Sequence, residues 1–127
     1  MRVLALRGAT TIDVDAADEI KARTIQLLEL LYERNGLTHD HLISVYFTTT
    51  ADVRAAAPGI GARAFGLTDV PLLCAQEQDV EGSLRLCVRL LAHVQTDRPR
   101  SELRHVFLRG ATALRPELAE PGDGELR

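Results

Sequence analysis

Tryptophan is absent from this chain, and lysine occurs only at Lys21 and methionine only at Met1. Cysteine is confined to Cys74 and Cys87, and aromatic residues make up 4% of the 127 positions. Two thiols without close spacing are more often small buried hydrophobes than a disulfide or a metal site, and that is how they read here. No apolar run approaches the ~20 residues needed to span a bilayer. Met1 to Arg7 carries too short an apolar stretch for a secretory signal, so a cytoplasmic location is expected. The formal net charge of −3 gives no reason to expect binding to nucleic acid or an anionic membrane. Because Lys21 is the one lysine among fifteen basic residues, arginine is this chain's ordinary cation. An arginine at any single place is therefore weak evidence for a site.

What is present fits one globular domain. The apolar share of 46% and charged share of 26% are ordinary for such a domain, and a chain of this length buries about two thirds of its unfolded surface. Residues 2 to 9 alternate as a strand, with Arg2, Leu4 and Leu6 on one face and Val3, Ala5, Arg7 and Ala9 on the other. Asp15, with Asp18 three positions on, reads as the cap of a long helix whose buried stripe is Ile20, Leu27, Leu28 and Leu31. Gly36 closes that helix. A second strand is expected over 42 to 49 and a third over about 70 to 75. Between them, Pro58 and two glycines break residues 51 to 63 into short helical turns or a mobile loop. Period-two alternation over 84 to 95 predicts a strand, with Leu84, Leu86, Val88, Leu90, Ala92 and Val94 on its apolar side. A last strand follows at 105 to 109, and the tail after Pro116 is expected to fray. Five strands and one long helix leave part of a sheet face uncovered, which predicts self-association.

Three ionic groups stand out because strands place them where a partner is needed: Arg7, Arg89 and Glu77, the last where Leu72-Leu73-Cys74-Ala75-Gln76 runs into a polar cluster. Taken alone, Arg89 reads as a solvated or ion-paired residue on a polar strand face and Glu77 as a strand-end carboxylate. His39 and His41 read as solvated loop histidines rather than metal ligands.

The blocks Arg7-Gly8-Ala9-Thr10-Thr11, Val70 to Glu77, Val88-Arg89 with Gln95 to Pro99, and His105 to Leu108 with Leu114-Arg115-Pro116 occur in one order over residues 1 to 118. In this the chain resembles the monofunctional chorismate mutases of the trimeric class. The resemblance implies an α+β domain over residues 1–118 and a flexible tail over 119–127. It also implies a mixed five-stranded sheet packed on one long helix, with three copies closing a pseudo-α/β-barrel and active sites between subunits.

It further implies the Claisen rearrangement of chorismate to prephenate, without cofactor or metal. Arg89 would face the breaking ether bond, Arg7 would hold a carboxylate, and Glu77 would orient the ring hydroxyl beside the backbone of Cys74. Leu73, Ala75, Gln76, Phe107 and Leu114 would contact substrate, with Arg63 and Arg115 as supporting cations. Phe107 stands where the family usually has tyrosine. Ala57 and Ile60 replace a usual aromatic and a usual cation, and the chain is one residue shorter before Val70. Rearrangement of a chorismate relative, or a trimeric binding protein without turnover, remain open alternatives at this point.

Overall fold

The first strand and its partners decide the architecture. The computed structural model describes residues 1–126 and places β1 at Arg2–Thr11, α1 at Ala17–Asn35, β2 at Leu42–Thr49, α2 at Gly59–Phe65, β3 at Leu72–Gln76, β4 at Cys87–Thr96 and β5 at Val106–Phe107. The sheet order is β3-β2-β4-β1-β5. β4 lies antiparallel to both β1 and β2, whereas β2–β3 and β1–β5 are parallel, so the sheet is mixed. One face is covered by α1, whose Ile20, Leu27, Leu28 and Leu31 are wholly buried. The three leucines pack with Leu6, Val45, Phe47, Val88, Leu90, Ala92 and Val94, the inward residues of the central strands, while Ile20 packs with Ile12 and Val53. The expected helical stripe and strand alternation are both observed.

Gly36 ends α1 with φ +62°, and its N–H reaches the Tyr32 carbonyl. At that positive φ a side chain is strained, and a Cβ would also displace the Arg98 guanidinium 2.6 Å away, so glycine is favoured. The other end departs from expectation. The N-cap is Ala16, with no side-chain cap. Asp15 instead accepts the N–H groups of Arg54 and Ala55, tying the 51–58 loop to the helix start. Glu19 accepts those of Asp13 and Val14, so it performs the local bonding expected of Asp18.

Three strands also have corrected ends. β4 starts at Cys87 rather than 84, because Leu86 turns with φ +48° and gives its N–H to both oxygens of the Asp52 carboxylate. β5 is cut to two residues because Arg109, at φ +53°, turns the chain into the 3-10 helix Arg109–Leu114. β3 begins at Leu72 and runs to Gln76, later than expected at both ends. Within the broken 51–63 segment, α2 is a real helix. Gly61 lets it approach α1, since a Cβ there would stand 2.7 Å from Thr24.

The tail, expected to fray, folds back onto α1. Arg34 donates to both oxygens of Asp123 at 2.7 and 2.9 Å, with Asp123 only 4% exposed, and its Nε lies 3.4 Å from Glu120. Glu120 also pairs with Arg104. The fork of two parallel charge-assisted bonds is a strong contact, and losing one partner strands the other. We expect Arg34→Ala to destabilise the protein by about 1–3 kcal/mol, less than a fully buried pair because the guanidinium keeps some water. It should also open the tail to protease. Thermal denaturation with limited proteolysis checks this, and a tail as resistant as wild type would mean that it is held elsewhere.

Candidate active site

The face of the sheet opposite α1 carries Arg7 and Arg89. Register aligns Ala75, Thr48, Arg89, Ala9 and Phe107 in one row across β3, β2, β4, β1 and β5. Directly opposed residues point to the same side, so these five share the open face. Arg7, two residues before Ala9, lies on that face in the next row with Leu91, Tyr46 and Leu73.

Glu77 follows β3 immediately, and its N–H continues the ladder to the Thr49 carbonyl at 2.9 Å. Its carboxylate meets Arg89 Nη2 at 3.0 Å through Oε1 and accepts the Thr48 hydroxyl at 2.8 Å through Oε2. Both oxygens are thereby held, which fixes the rotamer of Glu77 and, through it, that of Arg89. The side chains are 29% exposed for Arg89 and 17% for Glu77, so the pair sits half-submerged at the sheet surface. Arg89 spends one N–H on Glu77, and its buried Nε meets no hydrogen-bond acceptor among the described residues. Cys87, two positions earlier on the same face, has its thiol pushed up to about 11 chiefly by burial, although Arg89 pulls the other way. At neutral pH it is therefore a thiol and not a nucleophilic thiolate.

Arg7 places its guanidinium carbon 5.6 Å from the centre of the Phe107 ring, a cation–π distance. Phe107 is wholly buried in a small cluster with Ala9, Cys87 and Ala111, against which Leu84, Leu114 and Leu118 pack. Leu114 thus supports the ring of Phe107. Arg115 follows at the end of the 3-10 turn, exposed and paired with Glu117. Ser44 and His93, one row beyond Arg7, share a 3.1 Å cross-strand hydrogen bond on the same face. His39 and His41 lie in the 3-10 turn His39–His41, where the ring of His41 accepts the Thr38 N–H and His39 bonds the Tyr32 hydroxyl.

The remaining expected residues lie elsewhere. Cys74 and Gln76 alternate to the other face from Leu73 and Ala75, and Cys74 Sγ stands beside Gly59 together with the Arg63 guanidinium. A hollow of about 270 Å³ opens there between Thr49, Arg54, Ala57, Pro58 and Cys74 to Gln76. A larger one of about 430 Å³ lies under the 78–85 loop, but it is rimmed by Asp52, Asp79 and Glu81, which suits an anion poorly. The structure therefore splits the expected residues into two groups. Arg7, Glu77, Arg89 and Phe107 gather on the open face, while Arg63, Cys74 and Gln76 face the helical side of edge strand β3. Sequence reasoning missed Thr48, whose hydroxyl holds Glu77. Thr48 was visible only as a threonine in a β-rich run, and its use emerges from the parallel pairing of β2 with β3.

The open face of this mixed sheet carries a locked glutamate–arginine pair with a second arginine one row away, a set of charges and directed donors chemically suited to a small anionic molecule. Comparison with known proteins gives the family. Residues 3–118 match the family model described as chorismate mutase type I, and the chain belongs to that family. It is 38% identical to the chorismate mutase AroH of Bacillus subtilis, over 99% of this chain and 100% of that protein. It is 43% identical to the chorismate mutase AroH of Thermus thermophilus, over 91% of this chain and 96% of that protein. Among solved structures, the chorismate mutase from Clostridium thermocellum superposes with a TM-score of 0.85 at 47% identity, covering 87% of this chain and 98% of that one.

Proposed function

We propose that this chain catalyses its family's rearrangement on the open sheet face, with Arg89 as the group that stabilises the transition state. The protein is a chorismate mutase, an isomerase that converts chorismate to prephenate in the biosynthesis of phenylalanine and tyrosine. In that reaction one C–O bond breaks as one C–C bond forms within a single molecule. No proton moves and no nucleophile attacks. The protein's contribution is to hold a flexible dianion in its compact reactive shape and to set charge where it develops. No step of this chemistry calls for a cofactor.

The observation that carries the assignment is the state of Arg89. Glu77, itself held by Thr48, locks the direction of Arg89, yet the ion pair uses Nη2 alone, the buried Nε has no acceptor among the described residues, and the Arg89 side chain is 29% exposed. A guanidinium fixed in advance and left open is what an ether oxygen gaining negative charge requires, and it costs little reorganisation when the bond breaks. Arg7 binds a substrate carboxylate, its fork suited to two parallel bonds. Glu77 and the backbone of Cys74 orient the ring hydroxyl, Leu73, Ala75 and Leu114 line the substrate with Arg115 as an outer cation, and Gln76 and Arg63, on the other side of β3, serve a neighbouring subunit's site. Absorbance and chromatography of purified protein mixed with chorismate test the reaction. Absence of prephenate from a folded, assembled protein would redirect attention to a chorismate relative.

The assembly we propose is a homotrimer in which three sheets close a pseudo-α/β-barrel and the sites lie between subunits. Its support is twofold. The open face exposes Leu73 at 62%, Val3 at 59%, Tyr46 at 44% and Leu91 at 37%, a row-by-row apolar surface beside the site. Arg63 and Cys74 lie across the edge strand from Arg89, so Arg63 serves this chemistry best at a neighbour's site. Among the described residues no helix is long and apolar enough to cross a membrane, and we assign the protein to the cytoplasm on its sequence.

Phe107 yields a prediction. A tyrosine there would add a hydroxyl to the ring that Arg7 overlies, able to donate to a substrate carboxylate, and a hydrogen bond to a charged group is worth about 1.5–3 kcal/mol. We expect Phe107→Tyr to lower KM at least threefold with kcat little changed, measured by steady-state kinetics. A raised KM with a lower melting temperature would mean that the hydroxyl is buried without a partner.

A further inference from the structure

We propose that His105 is a positioning residue that holds Arg7 in place for the substrate, and that it does so only in its neutral form. This rests on the assignment of Arg7 to substrate binding. β5 pairs with β1 through only two positions, Gly8 with Val106 and Ala9 with Phe107. The next N–H along β1 toward the chain start is that of Arg7, and no backbone carbonyl of the two-residue β5 takes it. His105 fills the gap with its side chain, as Nδ1 accepts the Arg7 N–H at 2.9 Å. The imidazole thus extends the parallel ladder by one bond at the residue whose guanidinium rests on Phe107. Because this backbone bond sits at the root of the Arg7 side chain, a shift there is carried to the charged end.

The bond demands a bare Nδ1, so the ring must be the neutral tautomer with its proton on Nε2. The charged groups acting on the ring are Arg7 of β1 and Arg115 beyond the 3-10 helix Arg109–Leu114, both cations, the latter paired with Glu117. Burial first, and these two charges next, hold the histidine's proton affinity below its ordinary 6.5. The sign follows from linkage. The stabilisation is complete above about 6.5 and is lost as the pH falls through the lowered folded-state value, since the unfolded chain binds the proton first. Protonation would remove the acceptor and set a third positive charge beside Arg7 and Arg115.

The test is steady-state chorismate turnover across acidic and neutral pH for wild type, His105→Asn, His105→Ala and Arg7→Ala, with assembly and melting checked for each. Asparagine offers an oxygen near the Nδ1 position and does not titrate. We expect wild-type KM to be flat at neutral pH and to rise on acidification, with kcat changing less. His105→Asn should keep KM within about twofold of wild type and lose much of the acid rise, while His105→Ala should raise KM about threefold to tenfold at all pH values. A wild-type-like KM in His105→Ala, or an undiminished acid rise in His105→Asn, would overturn the proposal, provided Arg7→Ala still raises KM. An Arg7→Ala protein with unchanged KM would instead sink the substrate-binding role of Arg7. If His105→Ala does not fold, the asparagine variant alone still decides.

Discussion

Arg89→Ala is expected to lower kcat by about 10²–10³, the loss seen when one preorganised donor is removed from a site that stabilises developing negative charge. The effect should fall on kcat more than on KM. The ether oxygen is nearly neutral in bound substrate and gains charge only as its bond lengthens, so the lost interaction belongs to the transition state. Arg89→Lys should recover little, because Glu77 fixes the guanidinium through Nη2 and a compact ammonium cannot both keep that contact and reach the substrate. Removing Arg89 also leaves Glu77 with only the Thr48 hydroxyl as a partner, which pushes an anion toward an anionic substrate. Glu77→Gln separates the two effects, since it keeps the shape and removes the charge. A kcat for a folded Arg89→Ala protein within about tenfold of wild type would defeat the assignment.

The parts of this fold that could be read from sequence are those governed by periodicity. The stripe of Ile20, Leu27, Leu28 and Leu31, the alternation of Val88, Leu90, Ala92 and Val94, and the Gly36 stop are local patterns set by burial on one face, and they appear as expected. The misread ends share a different cause. Asp52 capturing Leu86, Asp15 capturing the 54–55 amides, and Arg34 capturing Asp123 are contacts across 34, 39 or 40, and 89 positions. No local propensity encodes them. Positive φ at Leu86 and Arg109 is equally invisible, because neither residue type announces a left-handed turn.

The candidate site shows the same division. Arg7, Arg89 and Glu77 were conspicuous as charges in strands, and the resemblance assigned them roles. Their relation to one another depends on register. Arg89 meets Glu77 because β2 lies between β4 and β3, pairing Thr48 with Arg89 on one side and with Ala75 on the other. Thr48 and His105 are ordinary residues in the sequence, and they acquire their tasks only when strand order places them beside Glu77 and Arg7.

Tyr46→Asp is expected to leave each subunit folded but to abolish both assembly and most activity. Tyr46 lies centrally on the open face, flanked in register by Leu73 and Leu91, and it is 44% exposed in the single chain. An aspartate there faces water in an isolated subunit, and substitutions at such exposed positions usually change stability by about 0.5 kcal/mol or less. In an assembled trimer it would be an unpaired carboxylate in an apolar contact, where desolvation costs several kcal/mol, and three copies would incur it together. Activity should fall with assembly because Arg63 lies on the far side of β3 from the Arg89 of its own chain. A lone subunit then keeps Arg7, Glu77 and Arg89 but loses the wall that completes the cleft and excludes water. Light scattering and chorismate turnover on the same samples decide the matter. A dissociated variant with native-like circular dichroism and little activity places the sites between subunits. A fully active monomer would confine the site to one chain, and a Tyr46→Asp protein that stays trimeric would move the interface off this face.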